Sequence, residues 1–443
     1  MAGTVSNIPI NINSMKNLFT LLLLNTSLMA FGQNFDQQIE QLTDANEKQV
    51  IAWRHWFHEN AELSNREFKT ADRIASILRE IGYEPQTGIA KTGVVAVLKG
   101  GKPGPVVGLR ADIDGLPVKE RVDIPWASKQ MGELNGEEVP VMHACGHDTH
   151  LSILLGVAKM LWEIKEEVPG TVKFIFQPAE EGAPAGEEGG AALMIKEQVL
   201  KNPDVDVIFG LHIDATVPVG ILQSRPEGIY AASNSFRIDI KGKQTHGASP
   251  WFGTDPIVTA AQIINNLQTV VSRNVDLTKA PAVVTVGAIH GGNRSNIVPE
   301  ELYMLGTIRT LDPAMTELVH NRVREVATKT AESNNAEITI TIEKGNPVTF
   351  NDPELYEQML PTLMRAADAG KYEVMRPITG AEDFAQFQKE IPGLYFQIGG
   401  CPAGKDPKTV ADHHTPDFYV DDAGMKLGMK AMMGLTLDYM NNN

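Results

Sequence analysis

Short apolar segments alternate with amphipathic segments through the first half of the chain, and this alternation restricts the fold more than any other feature. The apolar segments lie at 94–98, 106–109, 172–176 and 205–211. Residues 74–81 and 151–162 instead repeat apolar side chains at helical spacing. Strands that alternate with helices predict an α/β domain with a mixed, mainly parallel sheet and helices on both of its faces.

The pattern changes near residue 231 into strands that alternate with period two, as at 236–240. From there the predicted order of elements is β-α-β-β-α-β, which is typical of a ferredoxin-like α+β unit. We therefore predict that residues 229–344 form an inserted domain. Residues 33–228 and 345–443 then form the larger domain together, and a length of 443 residues accommodates two domains.

The N-terminus has the features of a secretory signal peptide. Lys16 precedes a short apolar run at 18–24, and small residues stand at the −3 and −1 positions of a cleavage site after Gly32. We predict that residues 1–32 are removed, with Met15 as an alternative start. The run is shorter than the ~20 residues of a membrane span. This predicts export to a bacterial periplasm or secretion, and no stable membrane insertion.

The overall composition is that of a globular protein, with 42% hydrophobic and 21% charged residues. A net charge of −16 argues against nucleic acid or an anionic membrane surface as a partner. Only two cysteines occur, Cys145 and Cys401. In an exported protein they could form a disulfide, but the residues around Cys145 favour a metal ligand.

Residues 142–150 read MHACGHDTH, which places three histidines, a cysteine and an aspartate just before a predicted helix. Cys145 and His147 flank Gly146, whose conformational freedom allows a thiolate and an imidazole to converge on one point. Cysteine thiolates and histidine nitrogens are common ligands of zinc and other transition metals. The stretch therefore predicts part of a metal site, with Asp148 as a candidate N-cap of the helix that follows.

Further side chains of the same chemical kind follow predicted strands. They are Asp112, Glu180, Glu181 and His212. In α/β sheets, ligands bind at the carboxyl ends of the strands, so we expect these side chains to lie close together. With His414 near the C-terminus, they complete the donor set of a metallohydrolase.

Five motifs support a more specific interpretation. They are RADIDGLP at 110–117, HACGHD at 143–148, QPAEEG at 177–182, HGASP at 246–250 and GAEDF at 380–384. In this order they resemble the M20 metallopeptidase family, in the branch that includes hippurate hydrolases, N-acyl-amino-acid amidohydrolases and auxin-conjugate hydrolases. The resemblance extends over nearly the whole chain from about residue 46.

The resemblance implies two divalent metal ions per subunit. Their ligands would be Cys145, His147, Glu181, His212 and His414. His414 is preferred to His413 because it precedes Thr-Pro, as the ligand does in the family. A thiolate favours zinc or another late transition ion such as cobalt or nickel, and manganese stays open as the activating ion. His143 and His150 are expected to shape the loop.

The resemblance also implies that Glu180 is the general base. A bound metal lowers the pKa of water towards ~7, and Glu180 takes the proton as the water attacks an amide carbonyl and returns it to the leaving nitrogen. Asp114 is expected to orient a ligand. Asp112 stands where better-known members carry a metal-binding histidine, and Glu382 and Asp383 are expected to support the site from a nearby loop.

The inserted domain acts as a lid and a dimerisation unit in the relatives that the chain resembles. His246 would reach the neighbouring subunit's site and stabilise the oxyanion, and Asn296 would lie near the substrate. Arg309 could bind a substrate carboxylate through two hydrogen bonds. The resemblance therefore implies a homodimer that forms through the inserted domain.

The sequence as a whole predicts an exported, dinuclear metal-dependent amidohydrolase that cleaves N-acyl amino acids to a free amino acid and a carboxylic acid. A metallocarboxypeptidase or dipeptidase acting on short peptides is the first alternative, and a deacetylase of an N-acetyl diamino acid is a variant of it. A non-catalytic metal or peptide binder is a third interpretation. Glu180 disfavours the binder, because a binder does not need a base beside its metal.

Overall fold

The computed structural model describes the backbone of residues 12–443 and the side chains of residues 35–443. The predicted signal peptide, residues 1–32, lies outside the residues whose side chains are described, and it stays a prediction. Among the described residues, no helix combines the length and the apolar character needed to cross a membrane.

The helices of the described chain are α1 (Ile12–Glu59), α2 (Phe68–Ile81), α3 (His147–Glu163), α4 (Gly190–Lys196), α5 (Pro256–Asn274), α6 (Pro313–Ser333), α7 (Pro353–Ala366), α8 (Ala385–Glu390) and α9 (Met425–Asn442). The first strands are β1 (Gln86–Ile89), β2 (Gly93–Lys99), β3 (Lys102–Asp112), β4 (Gln130–Leu134), β5 (Glu137–Val141), β6 (Pro169–Gln177), β7 (Val207–Pro218), β8 (Leu222–Ser224) and β9 (Glu227–Tyr230). The later strands are β10 (Ala232–Lys241), β11 (Thr245–His246), β12 (Ala282–Gly291), β13 (Ile297–Val298), β14 (Glu301–Thr310), β15 (Glu337–Lys344), β16 (Thr349–Asn351), β17 (Tyr372–Val374) and β18 (Gly393–Cys401).

The large sheet has eight strands in the order β1-β2-β6-β3-β7-β18-β8-β17. Its central pairs β6–β3, β3–β7 and β7–β18 are parallel, as is β17–β8, whereas β1–β2, β2–β6 and β18–β8 are antiparallel. The predicted mixed, mainly parallel sheet is confirmed. Because the parallel strands run in one direction, their carboxyl ends lie along one edge of the sheet.

Helices cover both faces of this sheet. Helices α3 and α9 pack on β3, and α1 packs against both of them, while α4 and α8 contact β6 and β18. Successive residues of β6 enter different apolar clusters, since Phe174 and Phe176 lie in one and Ile175 in the other. A strand that is buried on both faces contains few polar residues. This explains why the apolar run of β6 was recognisable in the sequence.

The inserted segment folds as a separate layer with the predicted β-α-β-β-α-β order. Its four strands pair antiparallel in the order β12-β14-β10-β15, and α5 and α6 cover one face over an apolar cluster of their own. Asp255 caps α5 by accepting hydrogen bonds from the backbone N–H groups of Ile257 and Val258. Strands β9 and β16 pair where the chain enters and leaves this layer. The predicted bounds of 229–344 are not tested by these observations and stay a prediction.

Two details differ from the sequence-based expectation. His212 does not follow a strand but lies within β7, just beyond Gly210, the last residue of β7 that pairs with β3. Helix α3 begins at His147, so Asp148 lies in its first turn and does not cap it. Cys145 and Cys401 are both buried free thiols, so the alternative disulfide does not form.

Candidate metal centre

The cysteine–histidine loop turns sharply before α3. Gly146 adopts a φ of 96°, and a Cβ at this position would lie 2.6 Å from Cγ2 of Ile213. Both the backbone conformation and the close packing therefore require glycine. This turn directs Cys145 and His147 towards the same edge of the large sheet.

The structure brings all five predicted ligands together. Donor atoms of Cys145, Glu181 and His414 lie within 4.8 Å of one another, and those of His147, Glu180 and Glu181 do the same. Sγ of Cys145 lies 3.4 Å from Nε2 of His212. The five ligands come from α3, β7 and three separate loops, so the cluster exists only in the folded chain.

Two histidines keep a free lone pair directed into this cluster. Nδ1 of His147 donates to Oδ1 of Asp114 at 3.1 Å, and Nδ1 of His212 donates to the carbonyl oxygen of Ile213 at 2.5 Å. Each hydrogen bond fixes a proton on Nδ1, so Nε2 is the nitrogen that a bound cation would meet. A hydrogen bond of this kind at Nδ1 orients an imidazole that binds a metal through Nε2.

Two other histidines have no lone pair to give. Nε2 of His150 accepts the backbone N–H of Ile213 at 2.8 Å, and its Nδ1 donates to Oδ1 of Asp112 at 2.6 Å. Nε2 of His413 accepts the N–H of Ala215 at 3.1 Å, so its protonated Nδ1 faces Sγ of Cys145 at 3.7 Å. The described hydrogen bonds thus make His413 a donor to the thiol sulfur and not a ligand.

His414 reaches the cluster from the C-terminal segment. Its backbone N–H donates to the carbonyl oxygen of Ala144 at 2.8 Å, which ties it to the loop of Cys145. Its Nε2 lies 3.0 Å from Oε1 of Glu181, and its side chain is 54% exposed. One side of the cluster is therefore open to small molecules.

The donor set fits a cation. Nε2 of His147 is buried without a hydrogen-bond partner, and it lies 4.0 Å from Oε1 of Glu181, which in turn contacts Nε2 of His414 at 3.0 Å. A buried polar atom without a partner is unfavourable unless a bound group satisfies it. A thiolate, imidazoles and a carboxylate are suitable ligands for zinc and related divalent ions.

The charges around the cluster also favour a cation. Burial raises the pKa of the Cys145 thiol well above its usual value, and the nearby Glu181 raises it further. Burial lowers the pKa of His212 well below its usual value, so this imidazole is neutral. Burial alone would lower the pKa of His147, but the carboxylates of Asp112 and Asp114 raise it to about 10. A bound cation would replace these protons.

Glu180 lies beside the donor atoms but is held separately from them. Its Oε1 accepts the backbone N–H of Asp383 at 3.3 Å, while its Oε2 lies 3.9 Å from Nε2 of His147. Burial raises the pKa of Glu180 well above its usual value, and the neighbouring Glu382 and Glu181 raise it further. Its Oε2 faces the proposed ligands, and the positive charge of a bound cation would lower its pKa and leave it as a proton acceptor.

Asp114 connects two of the ligands. Besides binding His147, it accepts the backbone N–H of Glu181 at 3.1 Å and the hydroxyl of Ser64 at 2.7 Å, both through Oδ2. Asp112 binds His150 and accepts a hydrogen bond from Arg110 at 2.8 Å. Both aspartates thus hold side chains around the cluster.

The three predicted residues of the inserted layer lie apart from the cluster. Strands β11 and β13 pair, which brings His246 next to Asn296, and both residues are exposed. Nδ1 of His246 accepts the backbone N–H of Ala248 at 2.9 Å, and Arg309 bonds within its own strand to the carbonyl oxygen of Ile308 at 3.0 Å. Among the described residues, none of the three bonds to the cluster.

Sequence reasoning assigned no role to Arg110, although it stands in the first motif. Its buried guanidinium donates to Gln177 at 2.7 Å and to Asp383 at 2.8 Å, and it lies 2.9 Å from Glu382. It therefore neutralises the acidic loop that contacts Glu180. An arginine inside an apolar strand was the available signal, because a buried charge requires partners.

Comparisons with known proteins agree with this site. Residues 108–438 match the profile described as peptidase family M20/M25/M40. The chain is 36% identical over 394 residues to thermostable carboxypeptidase 2 of Saccharolobus solfataricus, covering 88% of this chain and 95% of that protein. It is 36% identical over 383 residues to an N-acetyl-L-cysteine deacetylase of Bacillus subtilis, covering 86% and 85% respectively. The crystal structure of a dinuclear metal-binding M20 peptidase from Bacillus subtilis superposes with a TM-score of 0.76 at 32% identity, covering 90% of this chain and 100% of that one.

Proposed function

This chain belongs to peptidase family M20, whose members hydrolyse amide and peptide bonds, and we propose that it is a dinuclear metal-dependent amidohydrolase of N-acyl amino acids. One observation carries this proposal. Glu180 lies against the five proposed metal ligands, and the backbone N–H of Asp383 holds its Oε1 away from them. We infer from this arrangement that Glu180 transfers a proton and is not one of the ligands.

The proposed ligands are Cys145, His147, Glu181, His212 and His414. Together they offer a thiolate, a carboxylate and three imidazole nitrogens to two divalent ions. The sulfur favours zinc, cobalt or nickel, and the oxygen donors admit manganese. When bound, the ions supply Lewis acidity, which makes water more acidic and polarises the amide carbonyl.

The protein's own groups then move the proton. Oε2 of Glu180 accepts a proton from the attacking water, since it faces the donor cluster 3.9 Å from His147 Nε2. Glu180 next donates this proton to the leaving amide nitrogen, which departs as the free amino acid. Oε1 stays on the backbone N–H of Asp383 throughout, so the carboxyl group keeps its orientation.

The substrate class is supported by the deacetylase among the relatives, which the chain resembles at 36% identity. A second candidate is a carboxypeptidase that acts on short peptides, and it is favoured by the equally similar carboxypeptidase of Saccharolobus solfataricus. Both reactions release a free amino acid and use the same proton transfers. They differ in the group that lies on the acyl side of the bond.

We also propose a homodimer that forms through the inserted layer, with His246 completing the partner's site. Strand β12 lies at an edge of its sheet and carries no acidic or basic residue other than His290. The opposite edge, β15, carries Glu337, Glu343 and Lys344. Uncharged edge strands readily pair with another chain. Export through a signal peptide is proposed from the sequence of residues 1–32.

The direct test is release of amino acids by metal-reconstituted protein. Hippurate, N-acetyl amino acids and Gly-X dipeptides are compared with and without a chelator, and Glu180→Gln serves as the matched control that leaves the ligands intact. Chelator-sensitive release from the acyl compounds is the expected result. A preference for dipeptides would favour the carboxypeptidase, and no release by protein with two bound ions would contradict both candidates in favour of a binder.

A further inference from the structure

The catalytic turn that carries Glu180 and Glu181 begins in an unfavourable backbone conformation. Ala179 has a φ of 54° and is buried. The left-handed region costs a residue with a Cβ about 1–2 kcal/mol, and such strain persists only where the surroundings hold it. The turn therefore requires a partner that stabilises it from outside.

Glu67, the residue before α2, is that partner. Its Oε1 accepts the backbone N–H of Ala179 at 2.9 Å, and its Oε2 accepts the hydroxyl of Thr92 at 2.6 Å. The residue is 0% exposed, and none of the ion pairs among the described residues includes it. A carboxyl group that is buried without a cation is costly, so its place beside Ala179 calls for a function.

The same segment also holds the far end of the loop that follows the turn. Nδ2 of Asn65 donates to the carbonyl oxygen of Glu188 at 3.1 Å, and Arg66 forms an ion pair with Glu187 at 2.6 Å. The loop is thus fixed at its beginning by Glu67 and at its end by Asn65 and Arg66. Of these hydrogen bonds and ion pairs, only the one accepted by Glu67 involves Ala179 itself.

The direction of the two glutamates depends on this fixed start. Asp114 accepts the N–H of Glu181 at 3.1 Å, which adds a second fixed point two residues after Ala179. With its backbone held at both positions, the turn can direct Glu181 to the donor cluster and Glu180 to the Asp383 N–H. Rotation at Ala179 would redirect both carboxyl groups together.

We propose that Glu67 is a positioning residue, which holds Ala179 in the left-handed conformation and thereby aims Glu181 at the metals and Glu180 at the substrate. The roles of Glu180 and Glu181 rest on the proposed function. Burial and the charge of Asp114 raise the pKa of Glu67 to about 8. A glutamine, which also offers an oxygen to Ala179, should therefore replace it.

The test measures the affinity of metal-free protein for Zn²⁺ by competition with a chromophoric chelator, together with kcat and KM. Glu67→Met, which removes the acceptor, is expected to weaken Zn²⁺ binding 10–100-fold and to lower kcat more than it changes KM. Glu67→Gln is expected to stay within threefold of the wild type. Adding Ala179→Gly to Glu67→Met should recover at least threefold in affinity, because glycine adopts this φ without strain.

A matched control separates positioning from general stability. Glu62 lies in the same segment and accepts hydrogen bonds from the N–H and the hydroxyl of Thr70 without contacting the turn. Glu62→Ala is expected to lower the melting temperature but to leave Zn²⁺ affinity within twofold. If Glu67→Met does not fold, Glu67→Asp, which is too short to reach Ala179, is assayed in its place.

The inference is overturned if the folded variant without the acceptor keeps Zn²⁺ affinity and kcat within twofold, if Glu62→Ala reproduces its losses, or if Ala179→Gly recovers nothing. Because the measurement of Zn²⁺ affinity needs no substrate, the role of Glu67 can be tested even if the wild type hydrolyses none of the amides. Absence of hydrolysis by the wild type would count against the proposed function and not against the role of Glu67.

Discussion

Individual hydrogen bonds decide which histidines can bind a metal. Five histidines approach the cluster, but in His150 and His413 the Nε2 lone pair already accepts a hydrogen bond from a backbone N–H group. His147 and His212 donate from Nδ1 to fixed oxygens and direct Nε2 towards the cluster. For His150 and His413 the distinction rests on backbone N–H donors, which cannot change roles and therefore fix the tautomer.

This distinction predicts opposite effects for two neighbouring imidazoles. His212→Ala should lose one of the two ions per chain, because it removes a proposed ligand and the neighbouring His413, whose Nε2 lone pair accepts the Ala215 N–H, cannot replace it. His150→Asn should keep both ions and lose only stability, about 1–3 kcal/mol, because the N–H of Ile213 loses its acceptor. Elemental analysis of the purified variants, with unfolding curves, measures both. A variant at His150 that binds a single ion would contradict the assignment.

Asp114 allows a second prediction at this scale. Asp114→Asn keeps the shape of the side chain but weakens the acceptors that fix His147 and the N–H of Glu181. The expected result is a 10–100-fold loss of metal affinity, with part of the activity recovered at high metal concentration. Metal titration of the apo-variant measures this, and Ser64→Ala, which removes only a neutral donor to Asp114, is the control.

The site residues that could be predicted from the sequence lie in contiguous motifs. The residues that were missed form hydrogen bonds with residues far away in the sequence. Cys145 and His147 could be predicted because a glycine between two ligands has a local meaning. Glu67 and Arg110 could not, because Glu67 bonds to a residue 112 positions away and Arg110 to one 273 positions away. Their partners become neighbours only when the strands of the sheet align.

At the scale of elements, α1 is fixed to the first turn of α3 by buried charges. Arg54 of α1 donates to Asp148 at 3.0 Å, and Nδ1 of His58 bonds the same carboxylate oxygen at 3.1 Å. Nε2 of His58 bonds Glu120 at 3.1 Å. Asp148 was expected to cap α3 but instead joins two helices next to the ligand His147, which couples helix packing to the site.

These contacts predict a pH-dependent stability. Burial alone would lower the pKa of His58, but Asp148 and Glu120 raise it to about 9, while Arg54 and His143 are the other charged or titratable groups nearby. Because the folded pKa exceeds the unfolded value, the stabilisation is complete below about pH 6.5 and is lost as pH rises through about 9. It amounts to at most about 3 kcal/mol.

Urea unfolding at pH 6 and pH 9 measures this effect. The wild type should lose stability over this interval, and His58→Gln should lose clearly less, because its side chain carries no titratable proton. Equal losses in the two proteins would show that other groups cause the pH dependence.

The elements themselves were largely predictable, since periodicity is a local property of the chain. The six longer elements of the inserted layer, which are β10, α5, β12, β14, α6 and β15, were expected from the sequence, whereas the two-residue strands β11 and β13 were not. The position of His212 inside a strand was not expected. Beyond Gly210, strand β7 no longer pairs with β3 and continues by pairing with β18 alone. The length of such an extension depends on the neighbouring strand and cannot be predicted from the sequence of β7 itself.

At the scale of the molecule, the inserted layer has its own apolar core, and its predicted site residues do not bond to the cluster of the same chain. If His246 serves a partner's site, each site combines Glu180 of one chain with His246 of the other. Heterodimers of Glu180→Gln and His246→Ala chains should then contain one intact site and recover about half of the wild-type activity. Differently tagged chains purified as heterodimers allow the measurement. No recovery would place His246 in its own chain's site, and full activity of the His246→Ala homodimer would place it outside catalysis.

The central claim is that Glu180 transfers a proton beside two metal ions that it does not bind. The most direct measurement is the metal content and the turnover of Glu180→Gln with the best substrate of the wild type. We predict that the variant binds two ions per chain, that its KM stays within a few-fold of the wild-type value, and that its kcat falls by about 10²–10⁴-fold. Turnover near the wild-type level, or the loss of a bound ion, would contradict the account.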